Sequence, residues 1–376
     1  MLTCDFDYDL PAASIAQEPV ARGESRLLVL DRSGPERHAR VRHLPRLLRP
    51  GDLLVLNDTR VIPARLFGRR GGGGGGMELL LVERLGEREW DALVKPGKRA
   101  RPGTAIELGP GLAAEVVAKG GEGRFRLRFS EPVEPHLERL GHVPLPPYIR
   151  RPDTAEDRER YQTVYARRPG AIAAPTAGLH FTEELLREIE AAGAGIARVT
   201  LHVGIGTFKP VSAERVEDHR MESERYEIGE EAAAAIHRAR AGAGRVVAVG
   251  TTVVRTLESA ALAGGGEVQA GRGATRLFIT PGFRFQAVDA LLTNFHLPRS
   301  TLLMLVSAFA GRERLLAAYE EAIREGYRFY SYGDAMFVER DPANPGETGL
   351  SGCTPAPGAA RRSRHRPPPE PGGRWR

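Results

Sequence analysis

The sequence predicts an α/β fold, with a larger sheet domain on which helices pack and a smaller β-barrel. Apolar runs of buried-strand length occupy 26–30 and 53–56. Short β-rich pieces separated by Gly and Pro fill 64–149 without a convincing helical period, which is typical of a small barrel. After the Pro-rich segment 143–148, strands alternate with helices, which indicates a parallel or mixed sheet covered by helices.

The barrel region is defined by its strand-like pieces. We expect barrel strands at 78–82, 90–94, 105–108 and 124–129. The glycine run 71–76 matches the G-x-G-x-x-G pattern, but a strand-like segment follows it, whereas a dinucleotide site needs a helix there. The run is therefore interpreted as a flexible hairpin connection.

The larger domain shows recognisable helix ends. Thr182 is a good N-cap, Glu183 and Glu184 suit the positive end of the helix dipole, and Gly193 suits a left-handed C-cap. The remaining expected elements are a strand over 197–203, a strand over 246–249, a turn at 250–252 and helices over 253–262, 301–309 and 312–325.

Composition limits the class of protein. The chain has 376 residues, 41% of them hydrophobic, which suits about two soluble domains. Its two cysteines, Cys4 and Cys353, lie near opposite ends and predict neither a disulfide framework nor a metal site. No basic segment leads into an apolar h-region, and no run of about 18 apolar residues occurs, so we expect a cytoplasmic protein without membrane contact.

The charge of +6 is unevenly distributed. Residues 339–376 hold seven Arg against four acids and are rich in Pro and Gly, which predicts a disordered tail. Elsewhere, basic residues cluster locally and could line an RNA face or form a solvated charged surface. These clusters are Lys95, Lys98, Arg99 and Arg101; Arg124, Arg126 and Arg128; and Arg150 with Arg151.

Polar residues follow several predicted strands of the larger domain. Ligands bind beyond the carboxyl ends of strands in open α/β sheets, so these junctions are candidate site positions. Thr251 and Thr252 would offer hydroxyls and backbone N–H groups to an anion at a helix start, with Arg255 one turn away. A well-capped helix with an exposed Arg explains the same spacing.

Three histidines also lie at element ends. His202 ends a strand and enters a loop with Gly204, Gly206 and Thr207, where a ligand could approach the backbone, although the glycines could equally serve a tight turn. His180 precedes the Thr182 cap. His296 follows Asn294-Phe295. Each of these histidines could act as an acid or base or make structural hydrogen bonds.

Three long motifs stand out in the sequence, GDLLVLNDTRVIPARL at 51–66, APTAGLHF at 174–181 and LHVGIGTF at 201–208. Shorter motifs lie at 6–10 with 15–17, 141–149, 161–165, 169–171, 217–219, 250–252, 293–298 and 332–336. In these motifs, over about residues 5–338, the chain closely resembles the tRNA ribosyltransferase-isomerase family of queuosine synthesis. Val253 stands where family members often have Ser, which puts the ligand role of that position in doubt.

The resemblance implies both a fold and an activity. It implies an α/β catalytic domain, 1–63 and 152–338, that carries the barrel as an insertion over 64–151. It implies transfer and isomerisation of the ribosyl group of S-adenosylmethionine onto 7-aminomethyl-7-deazaguanine in a tRNA anticodon, giving epoxyqueuosine-tRNA, adenine and methionine. S-adenosylmethionine is then a consumed substrate, no cofactor or metal is implied, and we expect a monomer.

This chemistry needs a base near the 5′ carbon of the donor and an acid for the departing adenine. The catalytic candidates are His180, His202, His219, His296 and Asp334. The candidate substrate-binding residues are Asn57, Arg60, Thr176, Gly178, Gly204, Gly206, Thr207, Thr251, Thr252, Arg255 and Asn294.

Two other functions compete with this one. An RNA methyltransferase would share donor and partner class, but it needs a glycine-rich loop after its first strand and an acid ending the second, and neither occurs. A noncatalytic RNA-binding module would account for the basic β-rich region but not for the polar residues at the strand ends.

Overall fold

The computed structural model describes residues 1–32, 34–121, 123–204, 206 and 211–340. The strands of this part of the chain are β1 (Arg26–Leu30), β2 (Arg37–Arg40), β3 (Leu53–Asn57), β4 (Thr59–Val61), β5 (Arg65–Arg70), β6 (Gly76–Arg84), β7 (Glu89–Lys95), β8 (Ala105–Gly109), β9 (Leu112–Lys119), β10 (Arg124–Phe129), β11 (Arg168–Ala171), β12 (Gly195–Leu201), β13 (Glu224–Ile228), β14 (Val246–Val249), β15 (Gly271–Thr275), β16 (Ala290–Asn294) and β17 (Ala335–Glu339).

The α-helices mostly follow the sequence pattern. They are α1 (Glu134–Leu140), α2 (Asp157–Arg160), α3 (Glu183–Ala191), α4 (Glu230–Ala241), α5 (Thr251–Ala263), α6 (Thr301–Ala310) and α7 (Arg312–Arg324). Thr182 caps α3 as predicted, accepting a hydrogen bond from the backbone of Leu185 at 3.0 Å. Gly193 has the predicted left-handed backbone, with φ of 88°. The prediction of a separate turn at 250–252 was wrong, because α5 already begins at Thr251 and includes Thr252.

One large mixed sheet forms the centre of the protein. Its strand order is β15-β13-β12-β3-β14-β16-β17-β1-β2. The four adjacent strands β12, β3, β14 and β16 run parallel, whereas β17 is antiparallel to β16. The carboxyl ends of these four strands therefore lie along one edge of the sheet, together with the segment that leads into β17.

Helices cover both faces of this sheet. Alternate residues of a strand point to opposite faces, so Leu53 and Val55 of β3 join the core beneath α4, α5 and α6, while Leu54 and Leu56 join the core beneath α3. Residues of β3 are buried throughout because the strand is covered on both sides. This arrangement confirms the predicted α/β class.

The barrel is a separate closed sheet. Its strand order is β10-β7-β6-β5-β8-β9, and alternate residues of these strands fill its interior. The sequence did not predict β5 or β9, and it did not predict the short helix α1 that follows the barrel. The strands expected at 78–82, 90–94, 105–108 and 124–129 are present, so a small β-barrel is confirmed.

A buried ion pair lies at the other edge of the sheet, opposite the carboxyl ends of the parallel strands, and connects the strands there. Arg245, just before β14, binds Asp52, just before β3, and also contacts Glu339 at the end of β17. Asp52 and Arg245 are both buried. Beyond Arg340, the predicted tail lies outside the described residues. No helix in the described ranges is long and apolar enough to cross a bilayer.

Candidate active site at the strand ends

The predicted site residues gather at the carboxyl edge of the parallel strands. Asn57 ends β3 and Asn294 ends β16, while Thr251 and Thr252 follow β14. The turn that contains Thr176 lies across this edge, since a Cβ placed on Gly250 would lie 3.6 Å from the Cβ of Ala177. Two of the resemblance motifs, 174–181 and 250–252, therefore meet in space.

Asn57 fastens two strands together. Its amide nitrogen donates to the carbonyl of Leu201 at 3.0 Å, and its Oδ1 accepts from the backbone N–H groups of Leu201 and Thr59. The amide nitrogen also lies 3.4 Å from the Oγ1 of Thr252. Asn57 is fully buried and its hydrogen bonds are satisfied, so we infer that it holds β3 and β12 in place rather than contacting the substrate.

His202 stands at the end of β12 with one open nitrogen. Its Nδ1 is 2.9 Å from the Oγ1 of Thr59, and no hydrogen bond within the described residues engages Nε2. Gly170 packs on the ring, since a Cβ at that position would lie 3.0 Å from Cε1. Burial and then the charge of Arg225 lower the pKa of His202, so the ring is neutral at pH 7.

The start of α5 offers hydrogen-bond donors. Within the described chain, the backbone N–H groups of Thr251 and Thr252 have no partner, which is the normal state of a helix start. Arg255 is buried and forms an ion pair with Glu224, and its Nε donates to the carbonyl of Leu277. The guanidinium of Arg255, a predicted substrate-binding residue, is therefore already paired with a carboxylate.

Gly204 belongs to the same cluster. Its backbone N–H donates to Glu224 at 3.0 Å, so the carboxylate joins the loop after β12 to Arg255. Gly206 lies against Glu222, because a Cβ there would come within 2.9 Å of the carboxyl carbon. Thr207 lies outside the described residues.

His180 is held by hydrogen bonds on both ring nitrogens. Its Nδ1 lies 2.9 Å from Ser25 Oγ and its Nε2 lies 3.3 Å from the amide nitrogen of Asn294. Burial and the nearby Arg328 lower the pKa of His180 to about 4, so it is neutral at pH 7. The amide nitrogen of Asn294 can only donate, so Nε2 of His180 accepts this hydrogen bond. The proton of the neutral ring is therefore on Nδ1, which donates to Ser25 Oγ.

Asp334 has a structural environment. Its two carboxylate oxygens accept backbone N–H groups of Arg26 and Arg328, at 2.9 and 2.8 Å. The side chain is buried, and its carboxylate joins the loop before β17 to the start of β1. The geometry therefore favours a positioning role over proton transfer.

His296 lies at a cavity beyond β16. Its Nε2 is 2.8 Å from Thr293 Oγ1, and Nδ1 has no hydrogen-bond partner in the described part of the chain. Burial lowers the pKa of His296 to about 3. Tyr148, Tyr330 and Asn294 line the same cavity. Neither tyrosine was among the predicted site residues, although the aromatic residues concentrated in 327–332 could have indicated Tyr330.

Other predicted residues do not join these clusters. His219 is half-buried and packs edge-on against Phe278, with ring centroids 5.2 Å apart. Arg60 is exposed on β4. Gly178 is needed for packing, because a Cβ there would lie 2.1 Å from the hydroxyl of Tyr165. Among the described residues, no group of three or more His, Cys, Asp or Glu side chains could hold a metal ion.

Comparisons with known proteins show the family to which the chain belongs. The family model described as queuosine biosynthesis protein matches residues 3–338. The chain belongs to the queuosine biosynthesis protein family. Within this family, proteins named S-adenosylmethionine:tRNA ribosyltransferase-isomerase from Anaeromyxobacter sp. and Carboxydothermus hydrogenoformans are 57% and 56% identical to it. These matches cover 90% and 89% of this chain and 99% and 98% of the relatives.

A solved structure of the family is also similar. The crystal structure of S-adenosylmethionine tRNA ribosyltransferase from Thermotoga maritima is 41% identical, with a TM-score of 0.51. The match covers 89% of this chain and 99% of that one. This similarity agrees with the fold of this chain, a mixed sheet with a closed barrel.

Proposed function

We propose that this protein is an S-adenosylmethionine:tRNA ribosyltransferase-isomerase of queuosine biosynthesis. It transfers and isomerises the ribosyl group of S-adenosylmethionine onto the aminomethyl group of 7-aminomethyl-7-deazaguanine in tRNA. The products are epoxyqueuosine-tRNA, adenine and methionine. The observation that carries this proposal is the family match over residues 3–338, which includes every residue of the strand-end site described above.

The methionine carboxylate of the donor is assigned to the start of α5. The backbone N–H groups of Thr251 and Thr252 are open there, and the helix dipole favours an anion. The ion pair between Arg255 and Glu224 carries little net charge, so it positions the neighbouring loop rather than adding a free cation.

Two catalytic candidates at the strand ends have a ring nitrogen without a hydrogen bond in the described structure, whereas His219 lies away from these clusters. His202 and His296 each use one nitrogen in a hydrogen bond and are neutral at pH 7. A neutral imidazole with an open nitrogen can accept a proton from a carbon next to a sulfonium or donate a hydrogen bond to a departing base. We assign these two functions to this pair, whereas His180 and Asp334 orient their neighbours.

The tRNA is assigned to one end of the barrel, called here the basic end. Its exposed cations are Arg70, Lys95, Lys98, Arg99, Arg101 and Lys119. Within the described ranges none of these six forms an ion pair, whereas Arg124 is bound to Asp91 and Glu222, and Arg128 to Glu89. Because Glu222 also lies against Gly206, the basic end adjoins the loop after β12.

The proposal also covers the cofactor requirement, the oligomeric state and the location of the protein. S-adenosylmethionine is consumed as a substrate, and we propose that turnover needs no further cofactor or metal. We also propose that the chain acts as a monomer in the cytoplasm. Sedimentation of the protein with and without tRNA would test the oligomeric state.

One incubation tests the activity. The protein is mixed with S-adenosylmethionine and tRNA that carries 7-aminomethyl-7-deazaguanine. Release of adenine and methionine together with a heavier tRNA supports the proposal. Formation of S-adenosylhomocysteine would identify a methyltransferase instead, and tRNA binding without turnover would identify a binding module.

A further inference from the structure

A small, partly open cavity lies beside the end of β16. Tyr148 and Tyr330 form its aromatic wall, with ring centroids 4.3 Å apart. Phe295 and Leu302 add apolar surface, and Asn294 and His296 add polar atoms. Ligand sites commonly combine apolar walls with a few fixed polar groups, as this cavity does.

The orientation of the Asn294 side chain is fixed by its neighbours. Its amide nitrogen lies 3.0 Å from the carbonyl oxygen of Tyr330 and 3.5 Å from that of Asp334, and only a donor is stable there. Asn294 is 2% exposed, and its Oδ1 has no hydrogen-bond partner within the described structure. A buried amide oxygen without a partner costs free energy unless a ligand donates to it.

Tyr330 has two unusual features of its own. Its φ is 74°, a left-handed conformation that is uncommon for an aromatic residue. Its hydroxyl is buried and has no hydrogen-bond partner among the described residues. This backbone strain holds the ring and hydroxyl at the wall of the cavity, which is typical of residues that contact ligands.

The charge of the cavity discriminates between the two bases of the reaction. None of the described side chains that line it is an acid, a lysine or an arginine, and His296 is neutral at pH 7. The aminomethyl group of the tRNA base is a cation at neutral pH and would be buried there without a counter-ion, at a large cost. Adenine is neutral, and its exocyclic amine is the only donor of the base in S-adenosylmethionine.

We propose that this cavity binds the adenine base of S-adenosylmethionine, with the exocyclic amine donating to Asn294 Oδ1 and the ring lying against Tyr330. The Tyr330 hydroxyl donates to a ring nitrogen of the base. This inference rests on the proposed function, since it identifies where the donor substrate sits. It also places the adenine beside His296, which has an open Nδ1.

The first test removes the Tyr330 hydroxyl alone. Tyr330→Phe removes a buried hydroxyl without a partner, so it should leave the melting temperature unchanged or slightly raised. It should weaken binding of S-adenosylhomocysteine, an unreactive analogue with the same base, about fivefold in calorimetry. Tyr165→Phe is the matched control, because Tyr165 is also buried with an unpartnered hydroxyl but does not line the cavity. Its affinity should equal that of the wild type.

The second test uses two nucleosides that differ only in the exocyclic amine. The wild type should bind adenosine about tenfold more tightly than purine riboside, which lacks the amine. Asn294→Ala should abolish this preference, whatever its effect on overall affinity. Circular dichroism of each variant verifies that it is folded, and Tyr330→Phe carries the test if Asn294→Ala does not fold.

Specific results would overturn the inference. One is equal affinity of wild type and Tyr330→Phe for S-adenosylhomocysteine. Another is a rise in the KM for tRNA in Tyr330→Phe with the KM for S-adenosylmethionine unchanged, which would assign the cavity to the tRNA base. The proposed function fails separately, if wild-type protein releases no adenine from S-adenosylmethionine with the substrate tRNA.

Discussion

The side-chain amide of Asn294 donates a hydrogen bond to the backbone carbonyl of Tyr330 at 3.0 Å. The same amide nitrogen lies 3.3 Å from Nε2 of His180. The end of β16, the aromatic segment before β17 and the motif at 174–181 are therefore joined at one side chain. Because Nε2 of His180 accepts this hydrogen bond, the folded protein favours the neutral form of the ring.

The neutral state of His180 predicts a pH dependence of stability. Its pKa is lowered to about 4, below the ordinary value of 6.5, so the unfolded chain binds more protons in mild acid. Stability from this group is full above pH 6.5 and falls as the pH drops, by about 1.4 kcal/mol at pH 5.5. His296 acts in the same direction. Burial raises the pKa of Glu258, which acts in the opposite direction.

His180→Asn isolates the contribution of the histidine. Urea unfolding at pH 7.5 and pH 5.5 would give the acid-induced loss of unfolding free energy for wild type and variant. We expect the loss to be about 1.4 kcal/mol smaller in the variant, since one proton uptake is removed. Equal losses would show that His180 takes no part.

The buried ion pair of Arg245 predicts a large stability effect. Arg245→Met leaves Asp52 buried without its main counter-ion and should cost about 3–5 kcal/mol of unfolding free energy. Arg37→Met is the matched control, because Arg37 also makes two hydrogen bonds to one carboxylate, Asp31, but is exposed. It should cost about 0–1 kcal/mol. A similar cost for both variants would mean that burial does not set the strength of the pair.

The proposed carboxylate site at the start of α5 predicts that a substitution there changes the KM for S-adenosylmethionine without changing the stability of the protein. Thr251→Val removes a hydroxyl beside the open N–H groups and should raise the KM for S-adenosylmethionine about fivefold, with the affinity for tRNA unchanged. Thr301→Val is the control, since Thr301 is likewise the first, buried residue of a helix, α6. An equal KM in both variants would show that the Thr251 hydroxyl takes no part in binding the donor.

The basic end predicts salt-dependent tRNA binding. The double variant Lys98→Gln with Arg99→Gln should weaken tRNA binding and lower the slope of log K against log salt by about two, if each cation meets one phosphate. Arg84→Gln with Arg128→Gln is the control on the same barrel, because both arginines already bind acids, Glu134 and Glu89. Filter binding across a salt series measures both. If the slope of log K against log salt is unchanged in the first variant, the tRNA binds elsewhere on the protein.

Local sequence patterns predicted many of the elements and the edge at which the site lies. Strand periodicity identified β1, β3 and β14, and a short polar residue followed by two acids identified the start of α3. The pattern missed β5, in which Gly and exposed Arg weaken the alternation, and β9, in which Ala and Val occupy both faces of the strand. It also could not rank His180, His202 and His296, since all three lie at element ends.

The sequence by itself determined the α/β class, the small barrel, the family and the motifs that border the site. Only the tertiary structure decided which side chains of the site already have a hydrogen-bond or ion-pair partner within the protein. It engaged both nitrogens of His180, paired Arg255 with Glu224, and brought Tyr148 and Tyr330 against Asn294. The reason is physical: periodicity and capping are set by neighbours in the chain, whereas a side chain's hydrogen-bond partners and burial depend on residues far away in sequence.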